Sequence, residues 1–129
     1  MQEKIEKLKR LKLLFVEDET DLVEIITDTL QKLNANFLSA KNGQEALDII
    51  EANDDIDIIV TDINMPVMNG LVMIKELRDR GNSIPIIIMS AHTETDYINK
   101  AKELGVDNYL LKPFDFIKFI DLITEMEIK

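Results

Sequence analysis

The sequence predicts an α/β fold in which one parallel sheet is covered by helices on both faces. Three observations carry the prediction. Five short apolar runs recur along the 129 residues, a stretch of helical spacing follows each run, and the runs Leu13–Val16 and Ile84–Met89 are apolar throughout rather than alternating with polar residues. A strand that is apolar at every position is buried on both faces, as parallel strands between two helical layers are. Right-handed crossovers then favour a flavodoxin-like, doubly wound sheet of five strands and five helices in (βα)5 order.

Each element has its own signature. Leu13-Leu14-Phe15-Val16 is the first run and ends in the acidic cluster Glu17-Asp18-Glu19. Leu22, Ile26, Leu30 and Leu33 then recur with the period of an amphipathic helix. Asn36 to Ala40 reads as a short second strand, and Asn42-Gly43 breaks the chain before a helix carrying Ala46, Leu47 and Ile50. Ile56 to Thr61 is a β-branched run and so a buried strand. Pro66 and Gly70 punctuate the segment from Met65 to Gly70, which excludes regular structure there. Leu71, Ile74 and Leu77 mark the next helix, which ends near Gly81. Ile84 to Met89 is the fourth strand, with Pro85 tolerated only near its start, where no ladder donor is needed. Tyr97, Ile98, Ala101 and Leu104 mark a helix capped by Gly105, Asp107 to Leu111 the fifth strand, and Phe116 to Met126 the last helix. Residues 1–10 are expected as a charged helical extension, with Ile5 and Leu8 one turn apart, and residues 11–129 as a single domain.

Composition excludes whole classes of function. With 46% hydrophobic and 31% charged residues the chain is neither disordered nor fibrous. Asp and Glu number 25 against 15 Lys and Arg, and the resulting net charge of −10 makes the domain a poor direct binder of nucleic acid. Without cysteine there is no disulfide framework, thiolate metal site or cysteine nucleophile. A single histidine excludes a His-rich zinc site. The longest apolar run, Ile84 to Met89, is far short of the ~20 residues of a membrane span. The first ten residues have no apolar core of the signal-peptide kind, so a cytoplasmic domain with no membrane partner is expected.

In a doubly wound sheet the site lies at the carboxyl ends of the strands. There the first strand delivers Glu17 and Asp18, the third Asp62, the fourth Ser90 and the fifth Lys112. Two unit charges ~4 Å apart repel by about 4 kcal/mol at an effective dielectric of ~20. Three converging carboxylates therefore either take up protons or hold a cation. Hard oxygen ligands with open positions suit Mg2+ or Mn2+. A phosphoryl group would supply further oxygens, Ser90 could donate to one of them, and Lys112 could offset its charge. Asp62, on the central strand, is left as a carboxylate able to accept that group as an aspartyl phosphate. Any one of these residues alone is more often a helix cap or a surface charge. Their meeting at one sheet edge, followed by the string Asp62-Ile63-Asn64-Met65-Pro66-Val67-Met68-Asn69-Gly70, is far more specific.

These residues resemble the receiver domains of two-component response regulators, of the chemotaxis-regulator type. The resemblance runs from residue 11 to about residue 127. It is carried by the acidic pair Glu17-Asp18, the D-x-x-M-P-x-M-x-G loop from Asp62 to Gly70, Ser90-Ala91 after the fourth strand, Lys112-Pro113 after the fifth, and the intervals between them. It implies that Asp62 takes a phosphoryl group from a sensor histidine kinase or a histidine phosphotransfer domain. It implies Mg2+ held by Asp18 and Asp62, by Glu17 directly or through water, and by the backbone carbonyl of Asn64. Ser90 and Lys112 would contact the phosphoryl group, and Tyr109 would be the aromatic switch that turns inward as the hydroxyl of Ser90 moves. A cis Lys112-Pro113 bond is also implied. Glu17 and Ser90 stand where Asp and Thr are often found, and both are familiar alternatives.

Three other classes fit less well. An aspartate-nucleophile phosphatase needs a second aspartate two residues after the first as general acid, and Asn64 cannot transfer a proton. A flavodoxin-like cofactor binder wants a Ser/Thr/Gly-rich phosphate loop where this chain has Glu17-Asp18-Glu19. An interaction module independent of phosphorylation would not need an intact acidic pair, acceptor and lysine. The chain thus reads as a signalling switch rather than an enzyme. His92 lies in a loop beside the acceptor, not on a bundle helix, which argues against a phosphodonor; it either borders the attacking water with Asn64 or is a plain loop residue. On the last helix, Phe116, Phe119, Ile120 and Ile123 suffice to cover the sheet, leaving Ile117, Leu122 and Met126 as a surplus that marks a second contact. Another subunit, the extension or an output domain could fill it. A homodimer through the helix around Tyr97, the fifth strand and the last helix is one expectation, and coverage by the extension is the other. Nothing like an output domain follows Lys129, so the chain is either a single-domain regulator or a receiver from a longer protein.

Overall fold

The computed structural model describes residues 2–90, 95–106, 108–112 and 115–126. In chain order the elements are α1 (Gln2–Lys9), β1 (Lys12–Val16), α2 (Thr20–Lys32), β2 (Asn36–Ala40), α3 (Gly43–Ala52), β3 (Ile58–Asp62), α4 (Gly70–Asp79), β4 (Ile86–Ser90), α5 (Thr95–Glu103), β5 (Asn108–Leu111) and α6 (Phe116–Glu125). The five strands form one parallel sheet in the order β2-β1-β3-β4-β5. This is the doubly wound, flavodoxin-like arrangement that the sequence predicts, with a sixth helix, α1, ahead of the first strand.

Strand periodicity builds two cores. Leu14 and Val16 of β1, with Ile59 of β3 and Ile86 and Ile88 of β4, pack on α3, α4 and α5 through Ala46, Leu47, Ile50, Met73, Ile74, Leu77 and Ala101. The alternate residues Leu13 and Phe15, Ile58 and Val60, and Ile87 and Met89 face the other way. They meet Leu8 before the sheet, Ile26 and Leu30 of α2, and Phe119, Ile120 and Ile123 of α6. The register sets Val16 beside Thr61, and Asp62 beside Met89, so the acidic residues after β1 and at the end of β3 emerge at one edge.

Helix ends follow local chemistry. The side chains of Asn42, Asn69 and Asp115 accept from the amides of Glu45, Val72 and Lys118, capping α3, α4 and α6. Gly81 and Gly105, with φ of 80° and 82°, close α4 and α5, each followed by an amide that reaches back into the last turn. Asn34, at φ 58°, does the same after α2.

Two boundaries differ from the expectation, for identifiable reasons. The fourth strand starts at Ile86 rather than Ile84: the amide of Ile84 is taken by the Asn82 side chain at 2.9 Å, and Pro85 contributes only its carbonyl, to Ile59. The third strand is Ile58–Asp62, so the acceptor candidate closes the strand itself. The surplus apolar residues of α6 are largely used. Helix α1 packs on α6, and Leu122 and Met126 lie against the core that contains Leu8 and Leu11, while Ile117 stays 59% exposed. Lys4 meets Asp121 at 2.6 Å, and Lys7 donates to the carbonyl of Thr124. No helix among the described residues is long and apolar enough to cross a membrane.

Candidate functional site

The carboxyl ends of β1 and β3 bring Glu17, Asp18 and Asp62 together, with one carboxylate oxygen from each lying within 4.8 Å of the others. Glu17 is buried at 1% exposure, Asp62 is half-buried and Asp18 faces solvent. Lys112, just after β5, reaches into the group. Its ammonium donates to Glu17 Oε1 at 2.5 Å and to Asp62 Oδ2 at 3.2 Å. The second oxygen of Glu17 accepts from the amides of Asp18 and Glu19, and Asp62 Oδ1 accepts from the amide of Ile63 at 2.8 Å.

Burial is the largest influence on Glu17 and pushes its carboxyl up to about 7. The hydrogen bond from Lys112 opposes that rise, and the charge of Asp62 adds to it. Burial also disfavours the Lys112 ammonium, but the Glu17 hydrogen bond and the charges of Asp62 and Glu17 outweigh it, so that group holds its proton more tightly than usual. Three carboxylates with one ammonium remain a net negative cluster of hard oxygen donors, which is the chemistry that suits Mg2+ or Mn2+. The donor set fits such an ion: Asp18 faces solvent, whereas Glu17 and Asp62 each give one oxygen to Lys112 and the other to backbone amides, and Glu17, the most buried, is the most constrained of the three.

Of the other candidates, Ser90 ends β4 in register with Leu111; its side chain, like His92 and the Lys112-Pro113 bond, lies outside the described residues. Asn64 is exposed in the loop after Asp62. Tyr109 is half-buried against the α3–α5 core, and its hydroxyl donates to the carbonyls of Ile98 and Val106, both at 3.1 Å. Sequence reasoning missed the backbone around the site. Val67 has φ 67°, and the amide of Met68 donates to the carbonyl of Pro66 at 2.7 Å, a tight three-residue turn with a β-branched residue at its centre. Pro66 and Gly70 signalled an irregular loop, and no residue preference would place valine there.

Fold and site together define a response regulator receiver domain. Residues 13–124 match that family, and the chain belongs to it. Among its relatives, the chemotaxis protein CheY1 of Helicobacter pylori strain J99 is 39% identical over 107 residues, covering 81% of this chain and 86% of that protein. A chemotaxis protein CheY homolog of Campylobacter jejuni strain 81-176 is 37% identical over 107 residues, covering 81% and 82%. The structure of Vibrio cholerae chemotaxis protein CheY4 superposes with a TM-score of 0.83 at 27% identity, covering 91% of this chain and 98% of that one. The receiver family binds Mg2+ at an acidic pocket, and its members act in signalling rather than as turnover enzymes.

Proposed function

We propose that this domain is a phosphoacceptor switch of a two-component system, with Asp62 the acceptor. The observation that carries the reading is the geometry around Asp62: two further carboxylates within 4.8 Å, and the Lys112 ammonium 3.2 Å from Oδ2, where it bridges Asp62 to Glu17. A carboxylate oxygen of Asp62 would form a bond to phosphorus as the phosphorus–nitrogen bond of a phosphohistidine breaks and the imidazole leaves. Asp18, Asp62 and the backbone carbonyl of Asn64 would hold Mg2+ or Mn2+, with Glu17 bound directly or through water. The ion would neutralise charge on the transferred group. Lys112 would exchange its contact with Asp62 for one with a phosphoryl oxygen, and the Ser90 hydroxyl would donate to another. Asn64 offers no proton to a leaving group, which suits a switch that keeps its phosphoryl group rather than a turnover phosphatase.

The donor would be a sensor histidine kinase or a histidine phosphotransfer domain. The output would run through α5, β5 and α6, with Ser90 and Tyr109 as the moving residues. A phosphoryl group shifts that equilibrium only by its differential contacts with the two states. The exposed apolar residues on β5 and α6 are Leu111 and Ile117, at 51% and 59% exposure, and they mark this face for a symmetric homodimer in the phosphorylated state. Sedimentation with and without beryllofluoride tests that part, and a monomer in both states rejects the dimer. The acceptor is tested by mass spectrometry after incubation with acetyl phosphate and Mg2+. One phosphoryl group is expected on the wild type and none on Asp62→Asn. Equal, stable labelling of the variant would reject Asp62.

A further inference from the structure

We infer that Gly43, at the start of α3, is a positioning residue for the acidic site, although it contributes nothing to it directly. The inference deepens the reading of Asp62 and Asn64 just given and rests on it.

The first amides of a helix have no partner within it. Here the amide of Gly43 donates to the carbonyl of Met68 at 2.9 Å, across from α3 to the loop between β3 and α4. The approach leaves no room for a side chain. A Cβ on Gly43 would stand 2.8 Å from both the Cγ and the carbonyl oxygen of Met68. Met68 is also the far side of the tight turn at Val67, whose φ of 67° a β-branched residue keeps only when its surroundings dictate it. From that turn a chain of hydrogen bonds leads into the site. The amide of Gly70 donates to the carbonyl of Ile63 at 2.8 Å, and the amide of Ile63 donates to Asp62 Oδ1 at 2.8 Å. Gly70 is tied in as closely, since a Cβ there would run into the carbonyl of Asp62. The segment from Asp62 to Gly70 is therefore held at both ends: by its own strand at Asp62, and by α3 at Met68. Asn64 sits between the two anchors.

The clash alone predicts that Gly43→Ala lowers the melting temperature, so stability does not separate a purely structural glycine from a positioning one. A positioning role predicts in addition a specific loss. Partners that orient ligands typically change metal affinity by roughly 10- to 100-fold when removed. Gly43→Ala should weaken Mg2+ binding on that scale, well below its melting temperature, and slow labelling by acetyl phosphate at low Mg2+. Saturating Mg2+ should recover most of the labelling rate. Adding Met68→Ala removes the clash with Cγ and should restore part of the Mg2+ affinity. A folded Gly43→Ala variant with wild-type Mg2+ affinity overturns the inference.

Amide hydrogen exchange on the wild type supplies a readout that needs no variant. Mg2+ and α3 would hold the same loop, so Mg2+ should slow exchange at the amides of Gly43 and Gly70. Unchanged exchange at Gly43 on binding Mg2+ also overturns the inference. If the wild type binds no Mg2+ at all, the reading of the acidic site fails instead. The positioning role is then decided by exchange at Ile63 and Gly70 in Gly43→Ala: faster exchange upholds it and unchanged exchange overturns it.

Discussion

The two ends of the sheet treat charge in opposite ways. At the amino end, the Lys12 ammonium lies 2.9 Å from Asp55, and its backbone amide donates to Asp57 at 2.8 Å. The Arg78 guanidinium is spent on the carbonyls of Leu104, Asn82 and Ile84. Lys4 meets Asp121 across α1 and α6. At the carboxyl end, Glu17 and Asp62 share the Lys112 ammonium, and Asp18 has no ion pair among the described residues. The titration behaviour follows. The hydrogen bond from Lys12 lowers the carboxyl of Asp55, whereas burial raises that of Glu17 even though Lys112 touches it. One end is closed upon itself, and the other keeps a demand for positive charge that a bound cation would meet. That contrast separates scaffold from site, and mutations at the two ends should have different signatures.

The largest effect on stability is expected at the closed end. Leu8 is fully buried between the sheet and α6. Leu8→Ala should cost about 2–5 kcal/mol in denaturant unfolding, the usual range for a buried leucine. Mg2+ affinity should not change, because no ligand atom moves. A parallel loss of Mg2+ affinity would show that the two ends are not independent.

The next effect belongs to the open end. An ion that binds only the folded state stabilises by about 2.7 kcal/mol at a hundred times its dissociation constant. Asp18→Ala should remove that gain while leaving the apo domain as stable as wild type or more so, since one repelling carboxylate is gone. A clearly less stable apo variant would instead give Asp18 a structural role. Proton binding tests the same cluster from the other side. Glu17 ordinarily titrates near 4.5 and does so here at about 7, so between those values the folded state holds more protons than the unfolded state. Its contribution to stability is complete below 4.5 and is lost as pH rises through 7. In Glu17→Gln that slope should vanish, and saturating Mg2+ should flatten it in the wild type. An unchanged slope in Glu17→Gln would assign the pH dependence to other groups.

Much of this is legible in the sequence alone. The apolar runs gave strand existence, and Asp62, Ser90 and Lys112 fell at strand ends because side-chain type changes sharply there. The boundaries were less legible. The signal at Ile84 is local but easily passed over in an apolar run: Asn82, two residues before it, takes its amide in an Asx-turn and keeps it from the ladder. The contact of Lys112 with Glu17 joins the first strand to the fifth, and no pattern along the chain carries that distance. The positive φ of Val67 runs against its propensity, and nothing in the residues around it signals the hydrogen bonds of Met68 and Gly70 that flank it. The burial of Leu122 and Met126 required knowing that the extension lies on α6.

The smallest effect expected is at the ion pair that fastens α1. Lys4 and Asp121 are each about a third exposed or more, at 40% and 35%, and the Lys4 ammonium holds its proton more tightly chiefly through its hydrogen bond to Asp121. Exposed pairs of this kind contribute little, because water already solvates both partners and two long side chains must be held in one geometry. Lys4→Ala should therefore lower the melting temperature only slightly. The loss should shrink further at 1 M salt, where charges are screened within ~3 Å. Helix α1 stays in place through Leu8, so Lys4→Ala should leave Mg2+ affinity and labelling by acetyl phosphate at wild-type values. Asp121→Ala should match Lys4→Ala, and the double variant should lose no more than either alone, since each single change already breaks the pair. A salt-independent loss, or one that adds fully in the double variant, would mean that these side chains act through packing on α6 rather than through their charges.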